Sequence, residues 1–82
     1  MDLEHLRDGL DELDTQLIGL LARRARLVAE IWRWKEEHGV PRVDARREEE
    51  MKVRLLRQAT SLGLKPDAIE AVLDRVIGRA LQ

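Results

Sequence analysis

The chain has 82 residues, with 15 basic and 16 acidic side chains and a formal net charge of -1. Because these charges balance and aromatic residues make up only 2% of the chain, the composition argues against a nucleic-acid-binding protein and offers no general attraction to an anionic membrane. The absence of cysteine excludes disulfides and thiolate metal sites and favours a cytoplasmic protein, and no apolar run approaches the roughly 20 residues of a membrane span.

The first predicted helix is long and carries one apolar stripe. The stripe's spacing of three and four residues predicts a helix from Leu3 to Glu37, ended by Gly39 and Pro41. Such a helix is roughly 50 Å long, whereas a compact chain of this size has a radius of gyration of about 12 Å. The helix would overhang a monomer and leave its leucines in water, so we expect a homodimer. The stripe consists of Leu3, Leu6, Leu10, Leu13, Leu17, Leu20, Arg24, Leu27, Ile31 and Trp34.

Two shorter helices account for the rest of the chain. Asp44 is placed to cap a helix over Ala45–Ser61, and Gly63 ends that helix. Pro66, a favoured first-turn residue, begins a third helix that runs towards the end of the sequence. The sequence thus predicts a single all-α domain over residues 1–82, with one very long and two shorter helices. Their expected apolar faces comprise Met51, Leu55, Ala59 and Leu62, and then Ile69, Val72, Leu73, Val76, Ile77 and Ala80.

Arg24 is the one charged residue in the apolar stripe. A guanidinium keeps its charge, so an inward-facing arginine requires an anionic partner. Lys35 lies three helical turns later and points the same way. On the second helix Glu48 leans towards the apolar side, with Asp44 one turn before it and Arg47 beside it. These residues predict a pocket where the first two helices pack, suited to a small anion with carboxylates and a hydroxyl.

Each of these residues also has an ordinary structural explanation. Arg24 and Glu48 can form a buried salt bridge. Lys35 can be a solvated surface lysine, and Asp44 can serve as a plain helix cap. Arg7 points about 100° away from Arg24 in projection, so it is either a surface residue or reaches the pocket from another subunit.

The sequence lacks the signatures of several other kinds of site. His5 and His38 are far apart with no ligand spacing around them, so we expect no metal site. There is no nucleophile–base pair, glycine-rich phosphate loop or nucleic-acid-binding motif. Trp32 either covers the predicted pocket or lies at an interface.

The order and spacing of these residues resemble those of the all-α chorismate mutases, the AroQ class. The resemblance extends over essentially the whole chain. It implies an intertwined homodimer in which the long first helices span both subunits and form two equivalent sites. The matching segments are Leu6-Arg7, Leu13-Asp14, Leu20 to Arg24, Lys35, and Pro41 to Glu48.

The resemblance also implies a role for each cation. Arg24 is implied to bind a substrate carboxylate within its own subunit, and Arg7 to do so from the partner subunit. Lys35 is implied to contact a carboxylate and the ether oxygen whose bond breaks. Arg47 is implied to add positive potential near the carboxylates.

The family's reaction is the Claisen rearrangement of chorismate to prephenate, which needs no covalent intermediate, proton transfer or cofactor. The resemblance implies that Glu48, together with Asp44, holds the ring hydroxyl of the substrate. The site must fold the enolpyruvyl arm over the ring and place positive charge where the ether oxygen gains electron density.

One region departs from the family's pattern. The best-known members supply a small polar residue from the last helix and, one turn later, a glutamine that hydrogen-bonds the ether oxygen. Here the position of the small polar residue is occupied by Ala80. Gln82 lies two residues before the position of the glutamine. The resemblance therefore implies a slow mutase, a mutase completed by a partner such as the first synthase of the shikimate pathway, or altered substrate choice.

Alternatives from the same scaffold and from another class stay open. The scaffold also suits an amino-substituted chorismate or an isochorismate pyruvate lyase. Glu48 favours a hydroxyl-bearing substrate weakly, since a ring amine also donates hydrogen bonds. A non-catalytic helical dimer, in which Arg24 sets the register, is expected to bind no dicarboxylate transition-state mimic.

Overall fold

Three helices make up the described part of the chain. The computed structural model describes residues 2–77, in which α1 spans Leu3–Glu37, α2 spans Ala45–Ser61 and α3 spans Pro66–Ile77, with no strand. The predicted all-α fold of one long and two shorter helices is confirmed over these residues. Ala80 and Gln82 lie outside the described residues.

Local start and stop signals set the helix boundaries. The Asp2 carboxylate accepts a hydrogen bond from the backbone N–H of His5 at 2.8 Å. The Asp44 carboxylate accepts one from the backbone N–H of Arg47 at 3.0 Å, so the predicted cap of α2 is confirmed. Gly39 and Gly63 follow the ends of α1 and α2 with φ values of 67° and 83°, a left-handed conformation that favours glycine.

Helices α2 and α3 pack against each other and share an ion-pair cluster. Lys52 Nζ lies 3.0 Å from a carboxylate oxygen of Glu70 and 3.0 Å from one of Asp74. Hydrogen bonds to Asp74 and then to Glu70 raise the pKa of Lys52. Ala59 on α2 is the one buried hydrophobic residue among those described, so this pair of helices has a small core.

Among the described residues, two of those predicted for the apolar faces of α2 and α3 are exposed instead. Leu62 is 79% exposed and Val72 is 55% exposed. Leu62 is the C-cap of α2 and lies beyond its last turn. Val72 lies beside the stripe of half-buried residues Ile69, Leu73 and Val76, because the contact with α2 is narrower than the apolar face of α3.

Helix α1 stands apart from the other two helices and extends beyond them. In the described part of the chain, no Cα atom of α1 lies within 8 Å of α2 or α3. The longest dimension is 55 Å and the radius of gyration is 16.0 Å, well above the value of about 12 Å for a compact chain of this length. The leucines of the α1 stripe are more than half exposed in the single chain. The predicted overhang is therefore confirmed.

None of the described helices combines the length and the apolar character that crossing a membrane requires. Helix α1 is long, but charged residues recur along it.

Candidate active site

A cavity of about 360 Å³ lies in the gap between α1 and α2. Six of its lining side chains are charged, with four cations and two carboxylates, which leaves a formal excess of two positive charges. A cavity with this excess suits a dianion. The charged residues are Arg24, Lys35, Arg42, Asp44, Arg47 and Glu48, and the others are Val28, Ile31, Trp32 and Met51.

Five of the six site residues predicted from the sequence line this one cavity. Arg24 and Lys35 come from one face of α1, three turns apart, because eleven residues are close to a whole number of turns. Asp44, Arg47 and Glu48 come from the cap and first turn of α2. The positive end of the α2 dipole adds to the potential of the side-chain cations here.

Arg24 is half-buried and tied to the third helix. One of its terminal nitrogens, Nη1, donates a hydrogen bond of 3.2 Å to the backbone carbonyl of Val76 on α3. Within residues 2–77 Arg24 forms no ion pair with Glu48 or with any other carboxylate. A guanidinium has five N–H donors, so this contact leaves donors for an anion in the cavity.

Lys35 and Trp32 hold the loop between α1 and α2 against α1. Lys35 Nζ donates a hydrogen bond of 3.1 Å to the backbone carbonyl of Arg42. The guanidinium carbon of Arg42 lies 4.7 Å from the centre of the Trp32 ring, a cation–π distance. Trp32 therefore lines the cavity, which is one of the two positions that the sequence left open for it. Arg42 also lines the cavity, and sequence reasoning did not predict it as a site residue.

The carboxylates of the site have different roles in the fold. The Asp44 side chain caps α2, and its Oδ1 accepts a hydrogen bond from the backbone N–H of Arg47. Glu48 lies one turn further along α2, half-buried, on the face that also carries Met51. Its position at the cavity wall suits an acceptor for a hydroxyl or amine of a bound ligand.

Arg7, the sixth predicted residue, lies far from the cavity. It is separated from Arg24 by 17 residues of α1, or about 26 Å along the helix axis. Its guanidinium forms an ion pair of 3.1 Å with Glu4, and its side chain is 62% exposed. Within one chain Arg7 cannot reach the other five residues.

A larger depression of about 620 Å³ runs along the outer face of α2 but lacks comparable chemistry. All of its lining residues come from α2, so no second element encloses a ligand. Some of its charges satisfy each other, as in the 3.1 Å ion pair between Arg46 and Glu50. The smaller cavity between α1 and α2 is the better candidate site.

Comparisons with known proteins show which family the chain resembles. The family model described as chorismate mutase type II matches residues 6–82. The T-protein of Enterobacter agglomerans is 42% identical over 76 residues, which cover 93% of this chain and 20% of that protein. The T-protein of Haemophilus influenzae is 38% identical over 73 residues, covering 89% of this chain and 19% of that protein.

A third relative is matched over most of its own length. The 4-amino-4-deoxychorismate mutase of Streptomyces venezuelae is 36% identical over 76 residues, covering 93% of this chain and 74% of that protein. By contrast, the chain spans about a fifth of the length of the two T-proteins. No solved structure matches the chain significantly.

Proposed function

The chain belongs to the chorismate mutase type II family, as its motifs predicted, and from this premise we propose that it rearranges chorismate to prephenate. This isomerisation serves the biosynthesis of phenylalanine and tyrosine. The observation that carries the proposal is the cavity between α1 and α2, where four cations and two carboxylates surround about 360 Å³. Chorismate has two carboxylates and a ring hydroxyl, which match this combination of donors and acceptors.

The proposed mechanism depends on positioning and electrostatics. Arg24 binds one carboxylate and thereby folds the enolpyruvyl arm over the ring. Lys35 directs its ammonium group to the ether oxygen, where negative charge develops as the carbon–oxygen bond stretches. Arg47 adds positive potential. A donor fixed in place before the reaction requires no reorganisation, and the loss of one such donor typically costs about a hundredfold in rate.

The carboxylates orient the other end of the substrate. Glu48 accepts a hydrogen bond from the ring hydroxyl, and Asp44, already fixed as the cap of α2, adds a second acceptor nearby. No general base is needed, because the rearrangement moves electrons in a ring without transferring a proton.

The active form proposed here is an intertwined homodimer. Seven leucines of α1 are each more than half exposed in the single chain, and burying the rest of each contributes about 1 kcal/mol. A depression of about 540 Å³ on α1, lined in part by Leu20, Arg24 and Leu27, is where we expect the α1 helix of the partner subunit to pack. In such a dimer Arg7 comes from the partner subunit and binds the second carboxylate.

A ring-amino substrate is the second candidate function. The relative from Streptomyces venezuelae is named a 4-amino-4-deoxychorismate mutase, and the chain covers 74% of its length. Glu48 favours a hydroxyl only weakly, because a ring amine also donates a hydrogen bond to it. The same cations bind the two carboxylates in either case.

Two further parts of the proposal concern the setting of the enzyme. A cytoplasmic location follows from the expectation that a cysteine-free biosynthetic enzyme works in a reducing compartment. A shikimate-pathway synthase is proposed as an activating partner, because Ala80 replaces the small polar residue that the family supplies from its last helix.

The test is a comparison of substrates with the purified protein. The ultraviolet absorbance of chorismate should fall, with prephenate as the product, and conversion of 4-amino-4-deoxychorismate and isochorismate should be slower. Arg46→Ala serves as a control, because Arg46 is paired with Glu50 outside the cavity. No turnover of any of the three, together with no binding of a dicarboxylate transition-state mimic, would refute the proposal in favour of a non-catalytic dimer.

A further inference from the structure

Arg42 is a cation of the cavity that has no role in the mechanism above. It lies on the loop between α1 and α2 and lines the cavity together with the five predicted residues. Without Arg42 the cavity would carry a formal excess of one positive charge, and with it the excess is two. Arg42 therefore strengthens the attraction of the cavity for a doubly negative substrate, beyond what the other residues of its own chain supply.

Two contacts fix Arg42 in different ways. The backbone is held by Lys35, whose Nζ donates to the Arg42 carbonyl at 3.1 Å. The side chain is held by Trp32, whose ring centre lies 4.7 Å from the guanidinium carbon. Lys35 and Trp32 are three residues apart on α1, so both contacts come from the same face of that helix.

The guanidinium of Arg42 keeps its hydrogen-bonding capacity. Its N–H donors lie in the plane of the group, whereas a cation–π contact uses the charge over the ring face. Within residues 2–77 the side chain donates no hydrogen bond and forms no ion pair. The permanently charged guanidinium of Arg42 is thus held at the cavity wall with its N–H donors available to a bound carboxylate.

We propose that Arg42 binds a substrate carboxylate and that Trp32 is the positioning residue that holds its guanidinium at the cavity. This inference rests on the proposed function, since it requires a dicarboxylate in the site. Arg42 acts on substrate binding, at a distance from the breaking bond, whereas Lys35 acts on the bond itself. Losing such an interaction raises KM and leaves kcat nearly unchanged.

The competing explanation is that the Arg42–Trp32 pair merely closes the loop against α1. Arg42→Ala separates the two explanations, because it removes the side chain and retains the backbone carbonyl that Lys35 contacts. A loop clamp would lower the urea unfolding midpoint and leave affinity for a dicarboxylate unchanged. A carboxylate-binding residue would change the affinity.

The experiment measures chorismate kinetics and the Kd of a dicarboxylate transition-state mimic. Arg42→Ala should raise KM and Kd about tenfold and leave kcat within about twofold of wild type. This loss of affinity is at the lower end of the range for a hydrogen bond to a charged group, because Arg42 is exposed. Arg42→Lys, which keeps the charge and loses the fork, should fall between wild type and Arg42→Ala. Arg46→Ala should match wild type.

Variants of Trp32 test its positioning role. Trp32→Ala should raise KM by less than Arg42→Ala, and Trp32→Phe should restore most of the loss because it keeps an aromatic face. In the double variant, Trp32→Ala should add nothing to Arg42→Ala, since Trp32 acts through Arg42.

The possible outcomes are distinguishable. If wild type turns over chorismate while Arg42→Ala and Arg42→Lys keep the wild-type KM and Kd, the role of Arg42 is refuted and the proposed function stands. A fall in kcat at unchanged KM would also refute carboxylate binding by Arg42. If wild type neither binds the mimic nor turns over any substrate, the proposed function is refuted and this inference with it.

Discussion

Mixing two impaired variants, Arg7→Ala and Arg24→Ala, should restore activity if each site takes Arg24 from one subunit and Arg7 from the other. Along α1 these residues are 17 positions apart, or about 26 Å, so one chain cannot bring both to the same ligand. Each single variant lacks one carboxylate-binding arginine at both sites of the homodimer. Each should therefore lose roughly tenfold to a hundredfold in kcat/KM.

The size of the recovery follows from the two-fold symmetry of the proposed dimer. When subunits exchange at random in an equal mixture, half of the dimers are mixed. In a mixed dimer one site has lost both arginines and the other has both. The mixture should thus reach about a quarter of wild-type activity per site, well above either variant alone.

The assay is the loss of chorismate absorbance after the two variants are unfolded together in urea and refolded. The matched control mixes Arg24→Ala with Lys35→Ala. Both of these residues come from the same α1 face of one subunit, so every site in that mixture carries a lesion and activity should stay low. An Arg7→Ala variant with wild-type activity, or a first mixture that shows only the average of its components, would contradict the shared site.

Three further predictions concern stability and are checked by urea unfolding at a fixed protein concentration. Asp44→Ala should cost about 1 kcal/mol because the α2 cap is lost, whereas Asp44→Asn should cost a few tenths because asparagine also caps; equal losses would contradict the cap's role. Gly63→Ala should cost about 1 to 2 kcal/mol because its φ is 83°, and Gly63→Asn should cost less. Lys52→Met should lower the midpoint at pH 8, since Asp74 and Glu70 raise the pKa of Lys52 above 10.5. A raised lysine pKa contributes stability that is present below pH 10.5 and is lost as pH rises through the folded-state pKa. The difference in midpoint between Lys52→Met and wild type should therefore shrink as pH rises above 10.5. A difference that stays constant with pH would refute the contribution of the Lys52 ion pairs.

The helix boundaries could be predicted because their causes are local. Asp44 precedes α2 as a cap, and the glycines Gly39 and Gly63 follow helix ends with positive φ. These signals act over a few residues and need no knowledge of the tertiary structure. The approach of Arg24 and Lys35 to one cavity was predictable for a similar reason, since both lie on a single rigid helix.

The contacts that sequence reasoning missed join distant parts of the chain. The hydrogen bond from Arg24 to the carbonyl of Val76 spans 52 residues, and no periodicity encodes such a pairing. Arg42 lies on a loop, where helical spacing gives no direction for a side chain. The exposure of Val72 depends on how much of α3 contacts α2, which the width of an apolar face does not determine.

The kcat of Lys35→Ala on chorismate, measured beside wild type, tests the electrostatic role of the cavity most directly. Lys35 lines the cavity and holds the loop through the Arg42 carbonyl, so circular dichroism and urea unfolding must accompany the kinetics. With the helices intact, we expect kcat to fall about a hundredfold or more, because a donor directed at the developing charge is lost. A folded Lys35→Ala variant with kcat within twofold of wild type would contradict the proposed mechanism.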